Sequence, residues 1–217
     1  MKIVQGWHIP KWDTHFEEYM VDGEYQKDNR NFTLEYVKDF NTVAIDVGAN
    51  IGFWSRDLCK KFNHVYAFEP VKENVEYYKK NINDSNYTLY NLALGKEELK
   101  NQPVYVNDNS CGASSLDSTK ATRGSDIVTD VITLDSLNLN FVGYMKIDVQ
   151  GTEKEVVLGA IETLKNNDIC LVVELPRNPG RKNFIEEEKY YTEVTEILED
   201  IGYNKKAQYK KEAVYIS

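Results

Sequence analysis

The run from Val43 to Gly52, VAIDVGANIG, followed by His64 to Pro70, HVYAFEP, constrains this chain more than any other feature. It reads as a hydrophobic strand, a glycine turn, a helix and a second strand closed by a carboxylate. Val43, Ile45 and Val47 suit a buried parallel strand, and Gly48 and Gly52 remove side chains where the chain turns tightly beside a ligand. That order describes a cradle for a nucleotide-type cofactor, with Glu69 placed to grip a ribose. The dinucleotide fingerprint GxGxxG needs glycine two and five residues after Gly48, where Asn50 and Phe53 stand instead.

Close approach to a pyrophosphate is therefore disfavoured. Asp46 and Asn50 bring polar groups to a turn suited to an amino acid's ammonium and carboxylate, and S-adenosylmethionine carries both, plus a ribose for Glu69. A cofactor-free structural turn explains the glycines but not Asp46, Asn50 and Glu69 together.

Strand and helix continue to alternate along the chain. Helices are predicted over Phe53 to Phe62 and Val71 to Asn83, and a third strand over Tyr87 to Leu94. Lys96 to Asp126 is rich in Asn, Ser, Asp and Gly and reads as an irregular excursion suited to function, with a short strand at Val104 to Val106. Order resumes at Ile127 to Leu134. Gly143 to Val149 predicts a core strand, Thr152 to Lys165 a helix with a Thr152 and Glu155 capping box, Ile169 to Leu175 another strand, and Phe184 to Ile201 a long helix. Tyr203 to Tyr209 and Glu212 to Ile216, split by a lysine turn, predict an antiparallel terminal hairpin. Residues 1–40 stand outside the alternation and form an N-terminal extension, with residues 41–217 as the catalytic domain. The extension carries Trp7, His8, Trp12, His15, Phe16, Tyr19 and Tyr25, and serves either as an aromatic cover for the sheet or as an acceptor-binding lid.

The 217 residues suit one domain plus an extension. A net charge of −9 argues against a general nucleic-acid surface and favours neutral or cationic acceptors. No stretch reads as a signal peptide or a membrane span, so the expectation is a cytoplasmic protein with no membrane partner, in the host's cytoplasm if viral. Cys59, Cys111 and Cys170 lack the paired spacing of a zinc site or disulfide framework, and Cys59 and Cys170 read as small core residues.

Several separated strings coincide: AIDVGANIG from Ala44, YAFEP from Tyr66, NLALG from Asn91, TLDSL from Thr133, KIDVQGTE from Lys146 and LVVEL from Leu171. Together they resemble the FkbM family of methyltransferases. The opening WHIPKWDTHF and the YQ at Tyr25 are similar to the leader of small phage-type members. The resemblance implies a class I Rossmann-like α/β fold: a mostly parallel seven-stranded sheet with an antiparallel C-terminal hairpin and helices on both faces. It also implies S-adenosylmethionine as donor and a hydroxyl of a sugar or secondary metabolite as acceptor. Carried over by position, Gly48, Asn50 and Gly52 face the donor's methionine part, Asp46 braces that loop, Glu69 meets the ribose, and Leu92 and Ala93 meet the adenine. Gln150 stands where the family usually has a second carboxylate, which puts an acid or metal role at that position in doubt.

Asp46, Glu69, Asp148 and Glu174 should share the rim at the strands' carboxyl ends, where open parallel sheets bind ligands. Asp148 is the candidate to orient an acceptor hydroxyl, accept its proton or stabilise the sulfonium; a local brace of the Gly151 turn is the competing role. His15, with an ordinary pKa of roughly 6.5, is the candidate base and His8 the spare. Glu174 joins Asp148 in the acid pair, and the two also offer oxygens to a divalent cation, a weakly supported alternative. Lys146 reads as a structural partner of this cluster. Trp7 and Trp12 are candidates to stack on a sugar face, and Ser114 and Ser115 lie in the polar excursion, with Ser115 a candidate acceptor contact. The expected activity is O-methylation of a saccharide or glycan hydroxyl, or of another small molecule. The alternatives are ribose 2′-O-methylation of RNA and a noncatalytic cofactor-binding module.

Overall fold

The computed structural model describes residues 1–120, 127–175 and 184–217. A small hairpin, β1 (Lys2–Val4) and β2 (Trp7–Ile9), precedes helices α1 (His15–Tyr19) and α2 (Lys27–Leu34). Then come β3 (Val43–Val47), α3 (Ser55–Cys59), β4 (His64–Phe68), α4 (Lys72–Asn81) and β5 (Tyr87–Tyr90). Three short strands follow, β6 (Ala93–Leu94), β7 (Leu99–Pro103) and β8 (Val128–Ile132). The rest comprises β9 (Val142–Ile147), α5 (Glu153–Leu158), α6 (Ile161–Asn166), β10 (Cys170–Glu174), α7 (Phe184–Asp200), β11 (Asn204–Tyr209) and β12 (Glu212–Ile216).

The main sheet has seven strands in the order β11-β12-β10-β9-β3-β4-β5. All neighbours pair in parallel except β12, which runs antiparallel to both β10 and β11, so the expected terminal hairpin is present. The strand order reverses at the β3 and β9 pair, which opens a crevice at their carboxyl ends. Alternation along each strand divides the core in two. Ala44, Tyr144, Cys170 and Val172 face the leader and Leu58 of α3, whereas Ile45, Met145, Leu171 and Val173 face Val156 and Val157 of α5, Leu164 of α6 and Leu198 of α7. Both faces are covered, which is why these strands are largely apolar, with charged residues only toward their carboxyl ends at Asp46, Lys146 and Glu174.

Four sequence expectations are corrected. The stretch Tyr87 to Leu94 is not one strand: β5 ends where Tyr90 O accepts from Glu69 N, Asn91 Nδ2 donates to the carbonyls of Glu69 and Pro70, and β6 joins a separate sheet of order β6-β8-β7. The helix from Thr152 to Lys165 is two helices. A Cβ on Gly159 would lie 1.9 Å from Gly95 O, so the chain bends there to let two backbones touch. The Thr152 and Glu155 capping box does not form; Glu153 instead accepts from Gly151 N at 3.0 Å, and Glu155 accepts from Tyr190 Oη at 2.9 Å. In the polar excursion the strand is Leu99–Pro103, and Tyr105 makes an isolated bridge to Ser115; residues 121–126 of the excursion lie outside the described residues.

The leader packs directly into the core. Trp7, Ile9 and Phe16 share a cluster with Ala49, Ile51, Phe53 and Trp54. Arg30 of α2, 1% exposed, pairs with Asp57 and Glu24 at 2.8 Å each, and Thr33 meets Tyr144 Oη at 2.9 Å. Among the described residues no helix is long and apolar enough to cross a membrane.

Candidate active site

At the crevice lies a cleft of about 560 Å³, within the size range of small-molecule sites. One half is built by the turn after β3. Gly48 N and Ala49 N both donate to Phe68 O at 3.0 Å, which pulls the turn across the end of β4. Gly48 takes φ +79, and a Cβ there would stand 1.9 Å from Asp148 O, so this turn and the one after β9 touch backbone to backbone. Asn50, at φ +51, donates from its main chain to Glu69 Oε2 at 2.8 Å and from Nδ2 to Cys111 O at 2.9 Å. Glu69 Oε1 accepts from Val71 N and Asn74 Nδ2. Burial pushes the Glu69 carboxyl up to about 7 despite these donors. Leu92, Ala93 and Leu94 supply an apolar wall beside it.

The other half holds an acid cluster. Lys146 stands opposite Asp46 in the parallel register of β3 and β9, and its Nζ lies 3.7 Å from Asp46 Oδ1 and 3.3 Å from Asp148 Oδ2. Burial opposes the Lys146 charge, yet Asp148 and Asp46 hold its pKa above the ordinary value. Gln150 Nε2 donates to Asp148 Oδ1 and, at 2.7 Å, to Glu174 Oε2, while Lys211 Nζ sits 3.1 Å from Glu174 Oε1. Burial and the Asp148 charge raise the Glu174 carboxyl well above its usual range. For Asp148 burial works against ionisation, but Lys146 and the donors from Glu174 and Gln150 prevail and hold it low. The two shifts run in opposite directions and favour the proton on Glu174 and the charge on Asp148. Gln150 sits at φ +61, and this strained backbone is held by Ser115 Oγ donating to its carbonyl at 2.9 Å and by Glu153 below.

The leader also lines the cleft. His15 Nε2 and Tyr25 Oη lie 3.0 Å apart, and both side chains line it with Tyr19, Gln26 and Trp54. Burial lowers the His15 pKa, so the ring is neutral at pH 7. Burial and, next, the Asp148 charge raise that of Tyr25, which stays a phenol.

Sequence reasoning brings His15, Gly48, Asn50, Glu69, Leu92, Ala93, Ser115, Asp148 and Glu174 to this one cleft. Asp46 and Gly52 do not reach it. Asp46 is buried beneath the turn, bonded to Ser55 Oγ at 2.6 Å, and so braces the loop; Gly52 packs on α4, where a Cβ would meet Ile82 Cδ1 at 2.8 Å. Trp7 is a core residue, 1% exposed, between Phe53 and the Arg56 guanidinium, with Nε1 bonded to Gly23 O. His8 is bound to Asn81 on α4, and Trp12 is exposed away from the cleft lining. Lys211 was missed, and Tyr25 and Gln150 were noted without the contacts they make here. Tyr25 was marked by the YQ string and Gln150 by its place in KIDVQGTE, whereas Lys211 acquires its partner Glu174 only through the fold. Among the described residues no group of three or more His, Cys, Asp or Glu side chains is arranged to hold a metal ion.

The family profile of the methyltransferase FkbM domain matches residues 46–205. The chain belongs to the FkbM methyltransferase family. It is accordingly an S-adenosylmethionine-dependent methyltransferase of class I. The FkbM methyltransferase of Methylobacillus flagellatus KT shares the fold at TM-score 0.52 and 16% identity; the match covers 82% of this chain but 44% of that one. A SAM-dependent methyltransferase of Aquifex aeolicus aligns at TM-score 0.50 and 17% identity, covering 94% and 93% of the two chains. Precorrin 8W decarboxylase of Methanobacterium thermoautotrophicum aligns at TM-score 0.50 and 14% identity, covering 88% of this chain and 90% of that one. No curated protein matches the sequence. Along its rim the cleft presents in turn the polar bend at Gly48 to Asn50, the Glu69 carboxyl and the apolar wall of Leu92 to Leu94, a sequence of surfaces compatible with the donor's amino-acid end, ribose and adenine.

One consequence for stability follows from Glu153, which burial pushes up to about 7 in this FkbM methyltransferase. The folded chain keeps that proton while the unfolded chain releases it near 4.5, so this contribution to stability falls as pH rises from 4.5 to 7 and stays low above. Glu153→Gln removes the slope, with a relative gain on the order of 2 kcal/mol at pH 8 over pH 5. Urea denaturation at both pH values checks this, and an unchanged difference between them refutes it.

Proposed function

We propose that this enzyme methylates a hydroxyl group, and that the hydroxyl belongs to a saccharide or glycan. The observation that carries the reading is geometric: Gln150 Nε2 bridges Asp148 Oδ1 and Glu174 Oε2 beside the turn at Gly48, and the opposed pKa shifts of the two carboxyls favour the charge on Asp148. S-adenosylmethionine supplies a methyl group on a sulfonium, and sulfur keeps the C–S electron pair when the methyl leaves. Asp148 accepts the hydrogen bond of the acceptor hydroxyl and takes its proton as the oxygen's lone pair forms the new bond to carbon. A weak base suffices, because the oxygen becomes acidic as it loses electron density, and most of the acceleration comes from alignment and exclusion of water. Gln150 and Lys211 hold Glu174 in place beside Asp148. Neutral His15, bonded to Tyr25, orients the acceptor from the leader side.

Residues 1–40 act as the acceptor-side lid of a catalytic domain formed by residues 41–217. Tyr19, Tyr25 and Trp54 take the sugar-stacking role expected of Trp7 and Trp12, since aromatic faces with a polar rim suit a pyranose. In the donor half, Gly48 and Asn50 meet the methionine part, Glu69 the ribose, and Leu92 and Ala93 the adenine. Glu69→Ala weakens donor binding by about 10- to 100-fold, the worth of charge-assisted hydrogen bonds, and calorimetry with S-adenosylmethionine reads it. An unchanged dissociation constant refutes that contact. Acceptor class is tested by transfer of labelled methyl to glycans, RNAs and small hydroxylated molecules. Label on a glycan hydroxyl is expected; label on RNA ribose, or only on nitrogen, overturns the reading.

A further inference from the structure

A buried carboxylate joins the leader to the donor half of the cleft. Asp13 is fully buried. Its Oδ1 accepts from Phe16 N at 3.0 Å and caps α1, and its Oδ2 accepts from Cys111 N at 2.7 Å. The main-chain N–H groups of Thr14 and His15 both donate to Asn109 O, so the leader is stitched to the polar excursion at this point. Residue 111 passes the connection on. Cys111 O accepts from Asn50 Nδ2 at 2.9 Å and from Asn74 Nδ2 at 3.2 Å. Asn50 N and Asn74 Nδ2 in turn donate to the two carboxylate oxygens of Glu69. The junction has no slack: a Cβ on Gly112 would come within 3.3 Å of both Asn50 Nδ2 and Phe16 Cζ.

We propose that Asp13 is a positioning residue for the methyl donor, fixing the Asn50 and Asn74 amides through Cys111, and through them Glu69. The proposal rests on the reading of Asn50 and Glu69 as donor contacts. It gives the leader a second duty, since the segment that covers the acceptor side also sets affinity on the donor side. Asn50 needs such support because φ +51 is a sparsely populated conformation, and its side chain reaches across to another loop rather than capping its own turn alone.

Asp13→Ser isolates the effect. A serine keeps the helix-cap bond to Phe16 N but cannot reach Cys111. In titrations of the full chain with S-adenosylmethionine, Asp13→Ser weakens binding by about tenfold, the scale of one charge-assisted hydrogen bond, and Asp13→Asn, which turns a donor toward Cys111 N–H, does the same. Asn50→Ala breaks the path at its other end. The double variant Asp13→Ser with Asn50→Ala therefore binds no more weakly than the weaker single variant. A purely structural Asp13 lowers the melting temperature and leaves the dissociation constant within twofold of wild type, and that result overturns the proposal, as do losses that multiply in the double variant. Wild-type chain that fails to bind S-adenosylmethionine overturns the donor reading itself.

Discussion

Asp148→Asn lowers methyl transfer by about 10²- to 10⁴-fold, the range for loss of a positioned proton acceptor, and leaves S-adenosylmethionine affinity within about threefold. The substitution keeps the shape of the side chain and removes two things. One is the charge that Lys146 and Gln150 hold in place at the edge of the donor turn; the other is the lone pair that receives the acceptor's proton. The introduced amide would also face the Gln150 amide, so Glu174 loses its ionised neighbour and its reason to stay strongly protonated. Donor affinity is spared because Glu69 and the turn at Gly48 to Asn50 lie on the other half of the cleft. Single-turnover transfer of labelled methyl, with donor titration alongside, checks both halves of the statement. Turnover within threefold of wild type would remove Asp148 from the mechanism and leave it as a brace of the Gly151 turn.

Gly48→Ala destabilises the protein by about 3–5 kcal/mol and abolishes donor binding with it. The added Cβ would stand 1.9 Å from Asp148 O, and the main chain itself must take φ +79. Neither side can move aside, since Gly48 N is bonded to Phe68 O and Asp148 N to Val47 O. Gly202 provides the control. It has φ +94 with nothing within 4 Å of a Cβ, so Gly202→Ala carries backbone strain alone and costs about 1 kcal/mol. Urea unfolding of the two variants separates a steric junction from a turn preference. Equal losses would mean that the two turns are not locked together.

The parts of this fold that were legible in the sequence are those fixed by short-range pattern. Val43 to Val47 is buried on both faces and apolar apart from Asp46, Gly48 marks the turn, and Glu69 closes the next strand. The terminal hairpin announced itself by two short runs, Tyr203 to Tyr209 and Glu212 to Ile216, about a lysine turn. What stayed hidden depends on contacts between distant segments. Tyr87 to Leu94 is continuous in hydropathy, and nothing local says that Asn91 will tie itself to Glu69 and Pro70 and eject the chain from the sheet. Gly159 looks like a tolerated helix glycine until Gly95 O is placed against it.

The same division holds in the cleft. Asp148 and Glu174 could be placed by strand ends, but their protonation states are set by Gln150, Lys146 and Lys211, which come from different elements. Aromatic residues in the leader suggested a lid with stacking tryptophans. Trp7 went to the core instead, because Phe53 and Arg56 sandwich it, and Tyr25 took the place beside the acids. His15 was recognised as a base candidate without its partner, ten residues further on, whose hydroxyl defines which way the ring faces.

The most direct test of the central claim is a crystal structure of the chain with S-adenosylhomocysteine. The account predicts the ribose hydroxyls on the Glu69 carboxylate, the amino-acid end at the Gly48 to Asn50 turn, the adenine against Leu92 and Ala93, and the sulfur directed toward Asp148. A ligand bound elsewhere, or a crevice filled by the protein's own side chains with the ligand excluded, would contradict it.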